Sequence, residues 1–309
     1  MKKILVPTDF SPNANKALDF AVQIAKQAQA EIILVHACNL VNTVFKDNLN
    51  IKKEYNQTLL DDANKSLGLL KKSIEDSENI IVNVKIYYDN IIESILKASE
   101  ENSADFIVIG TRGETEFSEK IFGSTTSELL GKSNIPIIVI SALSEWEITL
   151  KSVPESNLKE GRFEPDVILF ATNHFEENQE LLNPIVDMAK LYSSTIHVVV
   201  FIDTDYAEAY NYVYSIKELN HYIEFLQKTY PDVSFTGKLL EGENFESTIE
   251  KYNDKNGVDI IAMITYPKTF WDKFLKKRIT KNMAFHSKIP VLAISVKENG
   301  DLPIKNVRY

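Results

Sequence analysis

The chain of 309 residues has little of what several classes of protein require. Its single cysteine, Cys38, excludes an intrachain disulfide and a zinc site built from cysteines. Aspartate and glutamate (44) outnumber lysine and arginine (34), and the net charge of −10 argues against nucleic acid as a partner. No apolar run approaches about 18 residues, so the sequence predicts no membrane span. No signal-peptide core follows Met1, and we therefore expect a cytoplasmic protein.

What the sequence does contain is a regular alternation of apolar strands and amphipathic helices. In the first half the pattern predicts strands at 4–6, 31–38, 80–87, 106–109 and 136–140, and helices at 12–28, 50–77, 90–101 and 124–133. Ser11 and Pro12 are typical of a helix start. The run from Ile32 to Val35 is apolar on both faces, as in a sheet covered by helices on both sides. The alternation predicts an α/β fold with an open, doubly wound parallel sheet of five strands.

The same order of elements recurs in the second half of the chain. "DVILFATNHF" repeats "KKILVPTDFS", and "IPVLAIS" repeats "IPIIVIS". Two copies of one fold are the simplest explanation. We predict domains at 1–143 and 164–309, joined by a polar, poorly periodic linker at 144–163 with a short ordered piece near Trp146.

The stretch from 107 to 140 says most about chemistry. Gly110, Gly113 and Gly123 follow an apolar strand, and Ser124 comes directly after the last glycine. Glycines let a backbone approach a ligand closely, and the start of a helix favours an anion. The constellation therefore suits a phosphate chain. In an arbitrary protein, three glycines would more often mark a turn and an ordinary helix cap.

The spacing G-x2-G-x9-G-[ST] resembles the nucleotide-binding signature of the universal stress protein (UspA-like) family. "GSTTSELLGKSNIPIIVI" is similar to that family's last helix and strand, and "ILVPTDFSPNANKAL" is similar to its opening. The resemblance covers residues 1 to about 142, and a fainter copy fills the rest. It implies a tandem pair of Rossmann-like domains of the adenine nucleotide alpha-hydrolase-like type.

The resemblance also implies a function, which is to bind an adenine nucleotide, ATP with magnesium, as a sensor or regulator in the stress response. Asp9 would accept hydrogen bonds from the ribose, Ala37 would meet the adenine edge, and Ser124 would lie near the phosphates. No metal ligand from the protein alone is expected, although a hydroxyl could help to hold the ion. The nucleotide-binding residues implied are Pro7, Thr8, Asp9, Ala37, Gly110, Thr111, Arg112, Gly113, Gly123, Ser124, Thr125 and Thr126.

Two other functions stay open at this point. A slow ATPase or nucleotide-transfer enzyme would use the same pocket, but the sequence has no P-loop and no obvious base near the inferred phosphates, so we assign no catalytic residue. A scaffold that has lost nucleotide binding is the other alternative, because Glu114, Glu116 and Glu119 bring three carboxylates into the loop.

The second copy lacks this loop chemistry. Counted back from Pro290 against Pro136, the positions of Gly110, Gly113, Gly123 and Ser124 hold Ile264, Pro267, Lys277 and Arg278. We therefore expect a degenerate second domain that binds no nucleotide in the family's manner.

Assembly and core packing complete the sequence-based predictions. The family commonly dimerises through last strands, and the last strands of the two domains could pair here within one chain as a pseudo-dimer. A homodimer is a further possibility. His36 is expected to be a satisfied core histidine, and Tyr206, Tyr210 and Tyr214 are expected to form a core-facing stripe.

Overall fold

The computed structural model describes residues 1–38, 49–88, 90–111, 124–146, 150–151, 162–172, 174–205, 209–266, 283 and 286–296. The elements of the first half are β1 (Lys3–Pro7), α1 (Pro12–Ala28), β2 (Glu31–Ala37), α2 (Leu49–Glu78), β3 (Val82–Tyr87), α3 (Ile91–Glu101), β4 (Phe106–Gly110), α4 (Ser124–Lys132) and β5 (Ile137–Ile140). A short hairpin of β6 (Leu150–Lys151) and β7 (Arg162–Phe163) follows. The second half contains β8 (Val167–Ala171), α5 (Gln179–Tyr192), β9 (Thr195–Asp203), α6 (Ala209–Thr229), β10 (Phe235–Gly242), α7 (Phe245–Asn256), β11 (Ile260–Thr265) and β12 (Val291–Ser295).

Ten of these strands form one sheet in the order β10-β9-β8-β11-β12-β5-β4-β1-β2-β3. Every neighbouring pair is parallel except β12 and β5, which run antiparallel with Leu292 opposite Ile138. The predicted pair of doubly wound, five-stranded parallel sheets is therefore confirmed. The two sheets join edge to edge through their last strands, and Ser295 Oγ donates to the carbonyl of Leu130 in α4 at 2.8 Å across the same junction.

Capping residues fix both ends of helix α1. Ser11 caps it by accepting a hydrogen bond from the amide of Ala14 at 3.2 Å, and Pro12 occupies the first turn, as the sequence predicts. Gln29 ends the helix in the left-handed conformation, with φ of 50°. The buried face, which packs on the sheet, consists of Ala14, Ala17, Leu18, Phe20, Ala21, Val22, Ile24 and Ala25.

The segment between the two halves packs against helices of both. Phe163 lies edge-on to Phe20 of α1 and to Tyr192 of α5, with ring centroids 5.0 and 5.9 Å apart. Trp146 joins the same group, 5.4 Å from Phe20, and is 4% exposed. The sequence predicts order near Trp146, and the structure adds the β6–β7 hairpin, whose Phe163 is 1% exposed.

One packing prediction is wrong. Tyr214 is 37% exposed, whereas a core-facing stripe was expected to include it. The buried side of α6 is formed by Leu219, Tyr222 and Leu226, and extending that spacing backwards reaches residue 215, so that Tyr214 is one position out of phase. Tyr206 lies outside the described residues, as does the side chain of Tyr210. Among the helices that the structure describes, none is long and apolar enough to cross a membrane.

Candidate functional site

A cavity of about 250 Å³ lies at the carboxyl ends of β1, β2 and β4. The strand order of the first half reverses between β1 and β4, and ligands of doubly wound sheets bind at this kind of crevice. Eight of the twelve residues implied by the family resemblance line the cavity, namely Pro7, Thr8, Asp9, Ala37, Gly110, Thr111, Thr125 and Thr126. Ser124 begins α4, and Arg112, Gly113 and Gly123 lie outside the described residues, together with Glu114, Glu116 and Glu119.

The end of β1 forms a tight turn at the cavity. The amide of Thr8 donates to the carbonyl of Val35 at 2.8 Å, which continues the β1–β2 pairing. Thr8 Oγ1 accepts from the amide of Phe10, and Asp9 Oδ1 accepts from the amide of Ser11, both at 3.0 Å. The Asp9 side chain is exposed, and a carboxylate has capacity for several further hydrogen bonds. The turn therefore presents an acceptor beside the start of α1.

Gly110 has a packing reason to lack a side chain. A Cβ atom at this position would lie 2.4 Å from the backbone oxygen of Asn13, because the first turn of α1 crosses directly over the end of β4. The Asn13 side chain also reaches β4, with Nδ2 donating to the carbonyl of Thr111. Helix α1 therefore excludes a side chain here, independently of any ligand.

Two of the threonines in the cavity wall also hold the fold together. Thr111 is 1% exposed, its amide donates to Ile140 at 3.0 Å, and its Oγ1 accepts from the amide of Ala142 at 3.3 Å. Thr126 is 2% exposed, and its hydroxyl donates to the carbonyl of Gly110 at 3.3 Å. Thr125 is half-buried and so is the more accessible hydroxyl at the start of α4.

His36 lines the cavity as well, although the sequence predicts only a core histidine. Its Nδ1 lies 2.8 Å from the carbonyl oxygen of Thr8. Because a carbonyl only accepts, Nδ1 carries the proton, and Nε2 of a neutral ring is then an acceptor.

Cys38 follows two residues later, and burial raises the pKa of its thiol, which favours an unreactive neutral side chain.

The electrostatic setting favours an anion. The cavity is bordered by the N-terminal ends of three helices, through Ser11 and Asn13 of α1, Ile91 of α3 and Thr125 of α4. Each such end carries a partial positive charge, because its first amides have no acceptor within the helix. Within the described ranges, no group of three or more His, Cys, Asp or Glu side chains could hold a metal ion.

Sequence reasoning missed half of the cavity wall. The additional lining residues are Ser11, Asn13, Ala14, Val35, His36, Ile91, Ile95 and Ile109. Most of them read as ordinary cap, strand or core residues. The signal that could have found them is topological, because α1 and α3 start just after the carboxyl ends of β1 and β3.

The corresponding strand ends of the second half carry larger side chains. The amide of Thr172 donates to Val199 at 2.9 Å, repeating the Thr8–Val35 bond, so the register puts Phe201 at the position of Ala37. Phe201 packs edge-on against Phe245 with ring centroids 5.5 Å apart.

Two more residues lie near the end of β11, the strand that corresponds to β4. Ile264, 7% exposed, stands at the position of Gly110. The Tyr266 hydroxyl donates to Glu176 Oε2 at 2.5 Å, and burial, followed by the charge of Glu176, raises the pKa of Tyr266. A neutral tyrosine thus holds this carboxylate in place.

Comparison with known proteins agrees with this architecture. The crystal structure of a universal stress protein from Archaeoglobus fulgidus DSM 4304 superimposes with a TM-score of 0.67 at 18% identity, covering 95% of this chain and 98% of that one. At that identity the similarity shows the fold, and it extends over both halves.

The sequence comparisons concern the first half. Residues 1–141 match the model of the universal stress protein family. The chain is 27% identical to universal stress protein YxiE of Bacillus subtilis, over 45% of this chain and 97% of that protein. It is 30% identical to universal stress protein MJ0577 of Methanocaldococcus jannaschii, over 45% of this chain and 94% of that protein. The chain therefore belongs to the universal stress protein family.

Proposed function

We propose that the first half binds an adenine nucleotide, ATP with magnesium, in the cavity at the ends of β1, β2 and β4, and that the protein acts as a cytoplasmic sensor or regulator in the stress response. The observation that carries the proposal is that residues from distant segments, 7–9, 37, 110–111 and 125–126, line one crevice. All of them are positions that the resemblance to the family implies.

Different residues of the cavity wall suit different parts of a nucleotide. Val35, Ala37, Ile91 and Ile95 provide an apolar side suited to a base, and Asp9 provides an acceptor suited to ribose hydroxyls. Thr125, at the N-terminal end of α4, suits phosphate oxygens. Magnesium commonly binds through substrate phosphates and water, so the ion would arrive with the nucleotide.

We infer that the second half binds no nucleotide in this manner and serves as a structural or regulatory partner. Phe201 stands at the position of Ala37, so a large ring replaces the methyl group that lines the cavity of the first half.

Two separate substitutions, one at Ala37 and one at its counterpart Phe201, test the proposal. Isothermal titration of the full chain with ATP and magnesium should give saturable binding, and Ala37→Phe should abolish it, because the ring would occupy the base end of the cavity. Phe201→Ala, the matched control in the second half, should leave affinity and stoichiometry unchanged. Absence of binding at millimolar ATP, or unchanged binding by Ala37→Phe, would rule the proposal out.

A phosphate-release assay separates the sensor from a slow ATPase. We expect release at the background rate for the unmodified chain. Release well above background that Ala37→Phe abolishes would instead identify an enzyme.

A further inference from the structure

The end of β4 is hydrogen-bonded to the first turns of α1 and α4, two of the helices that border the cavity. On one side, the Thr126 hydroxyl in the first turn of α4 donates to the carbonyl of Gly110 at 3.3 Å. On the other side, Asn13 Nδ2 in the first turn of α1 donates to the carbonyl of Thr111. The Gly110–Thr111 unit therefore lies between α1 and α4 and is hydrogen-bonded to both.

Asn13 can hold the end of β4 in place because its own backbone is fixed. Ser11 caps α1, and Pro12 restricts the backbone of the first turn. The backbone oxygen of Asn13 also lies against Gly110. Its side chain is half-buried and lines the cavity.

Thr111 is held equally firmly on its other sides. Its amide donates to Ile140 and its Oγ1 accepts from Ala142, both in or next to the last strand. Among the described residues, the side-chain hydrogen bond that Thr111 receives from outside the β4–β5 region comes from Asn13.

We propose that Asn13 is a positioning residue for the anionic part of the ligand. It holds the end of β4, and through Gly110 the start of α4, at a set distance from the start of α1. The inference rests on the proposed nucleotide binding and specifies which part of the molecule the residue serves. Without the Asn13 hydrogen bond, the end of β4 and the start of α4 would have to become ordered when the ligand binds. The entropy lost in that step would weaken the affinity.

The consequence is selective, because the apolar side proposed for the base, Val35, Ala37, Ile91 and Ile95, belongs to β2 and α3 and not to α1 or β4. Asn13→Ala should weaken binding of ATP about three- to tenfold, the range expected for one lost side-chain hydrogen bond. Binding of adenosine, which has no phosphate, should change by less than about twofold. A merely structural defect would weaken both ligands together.

Three variants make the experiment decisive. Asn13→Asp keeps the shape of the side chain but sets a carboxylate against the Thr111 carbonyl, and it should lower ATP affinity further than Asn13→Ala while sparing adenosine. Asn178→Ala removes an asparagine that caps α5 in the second half, where its Oδ1 accepts from the amide of Glu180 at 2.9 Å, and it should change neither affinity. Thermal unfolding of each variant would establish that it is folded before titration.

The outcomes distinguish this inference from the proposed function. A loss confined to ATP supports the role of Asn13. Equal losses for ATP and adenosine, or no loss for either, overturn that role while nucleotide binding stands. If the unmodified chain binds neither ligand, the proposed function fails and the role of Asn13 fails with it.

Discussion

At the scale of single residues, the bare positions of the cavity have more than one cause. Ala37 is small beside open space, and its counterpart Phe201 shows that a large side chain is compatible with the same strand position. Gly110 is different, since backbone atoms of α1 stand where its side chain would go. One residue is small at a proposed ligand site, and the other is small because two elements are in contact.

This difference predicts the cost of adding one methyl group. Gly110→Ala should destabilise the protein by about 1–3 kcal/mol, because a Cβ atom 2.4 Å from Asn13 oxygen forces α1 away from β4. Gly68→Ala, in α2 with nothing within 4 Å of the added Cβ, is the matched control and should be neutral or stabilising by up to about 1 kcal/mol. Urea unfolding measures both, and equal stabilities for the two variants would contradict the packing argument.

At the scale of elements, α1 connects the cavity to the junction between the halves. The residues that make this connection lie on one face of the helix, because they are spaced three and four positions apart. They are Asn13, Lys16, Phe20, Gln23 and Gln27. Beyond the cavity, Lys16 Nζ donates to the carbonyl of Ser144, and Gln23 Oε1 accepts from the amide of Phe163 at 3.3 Å. Gln27 Nε2 donates to the carbonyl of Leu191 in α5 at 3.2 Å.

The aromatic centre of this junction should be a major source of stability. Phe163→Ala should cost about 3–5 kcal/mol, because the ring is 1% exposed and packs between Phe20, Trp146 and Tyr192. Tyr55→Ala removes an aromatic side chain that is 53% exposed and should change the free energy of unfolding by less than about 0.5 kcal/mol. Denaturant unfolding followed by circular dichroism compares the two. A similar small effect of both would show that the hairpin is only loosely attached.

At the scale of the whole molecule, the edge between β5 and β12 makes one sheet from two. Ile137, Ile138 and Val139 lie opposite Ala293, Leu292 and Val291, and all six are at most 1% exposed. Separating the halves would expose an apolar strand edge, a surface that pairs readily with another chain.

A fragment comprising residues 1–143 should therefore self-associate. Because β5 loses β12, we expect the fragment to sediment as a dimer or larger species at micromolar concentration. The full chain at the same concentration is the reference for an edge that is already covered. Sedimentation of a well-folded fragment as a monomer would show that β5 is stable without a partner.

Much of this architecture could be predicted from local patterns. The apolar runs at Ile4 and Ile32, the cap at Ser11 with Pro12, and the repeated "IP" strands identify elements whose formation depends on neighbours in sequence. The stripe ending in Tyr214 shows where such reasoning fails, because the face of α6 that is buried depends on how the helix packs on its sheet.

The site divides in the same way. Asp9, Ala37, Gly110 and Thr125 were reached through their positions at strand ends and in a family signature, whereas Asn13, His36 and Ile91 were not. Asn13 acquires its contact with Thr111 only when α1 crosses β4, 98 residues away in sequence.

By itself, then, the sequence determined the α/β alternation, the duplication and the identity of the strand ends that bear polar residues, because hydrophobic periodicity and capping are local. Only the tertiary structure decided which further residues complete the cavity, why Gly110 must be bare, and in which direction and register the two sheets join. These features depend on crossovers that bring distant segments within van der Waals contact.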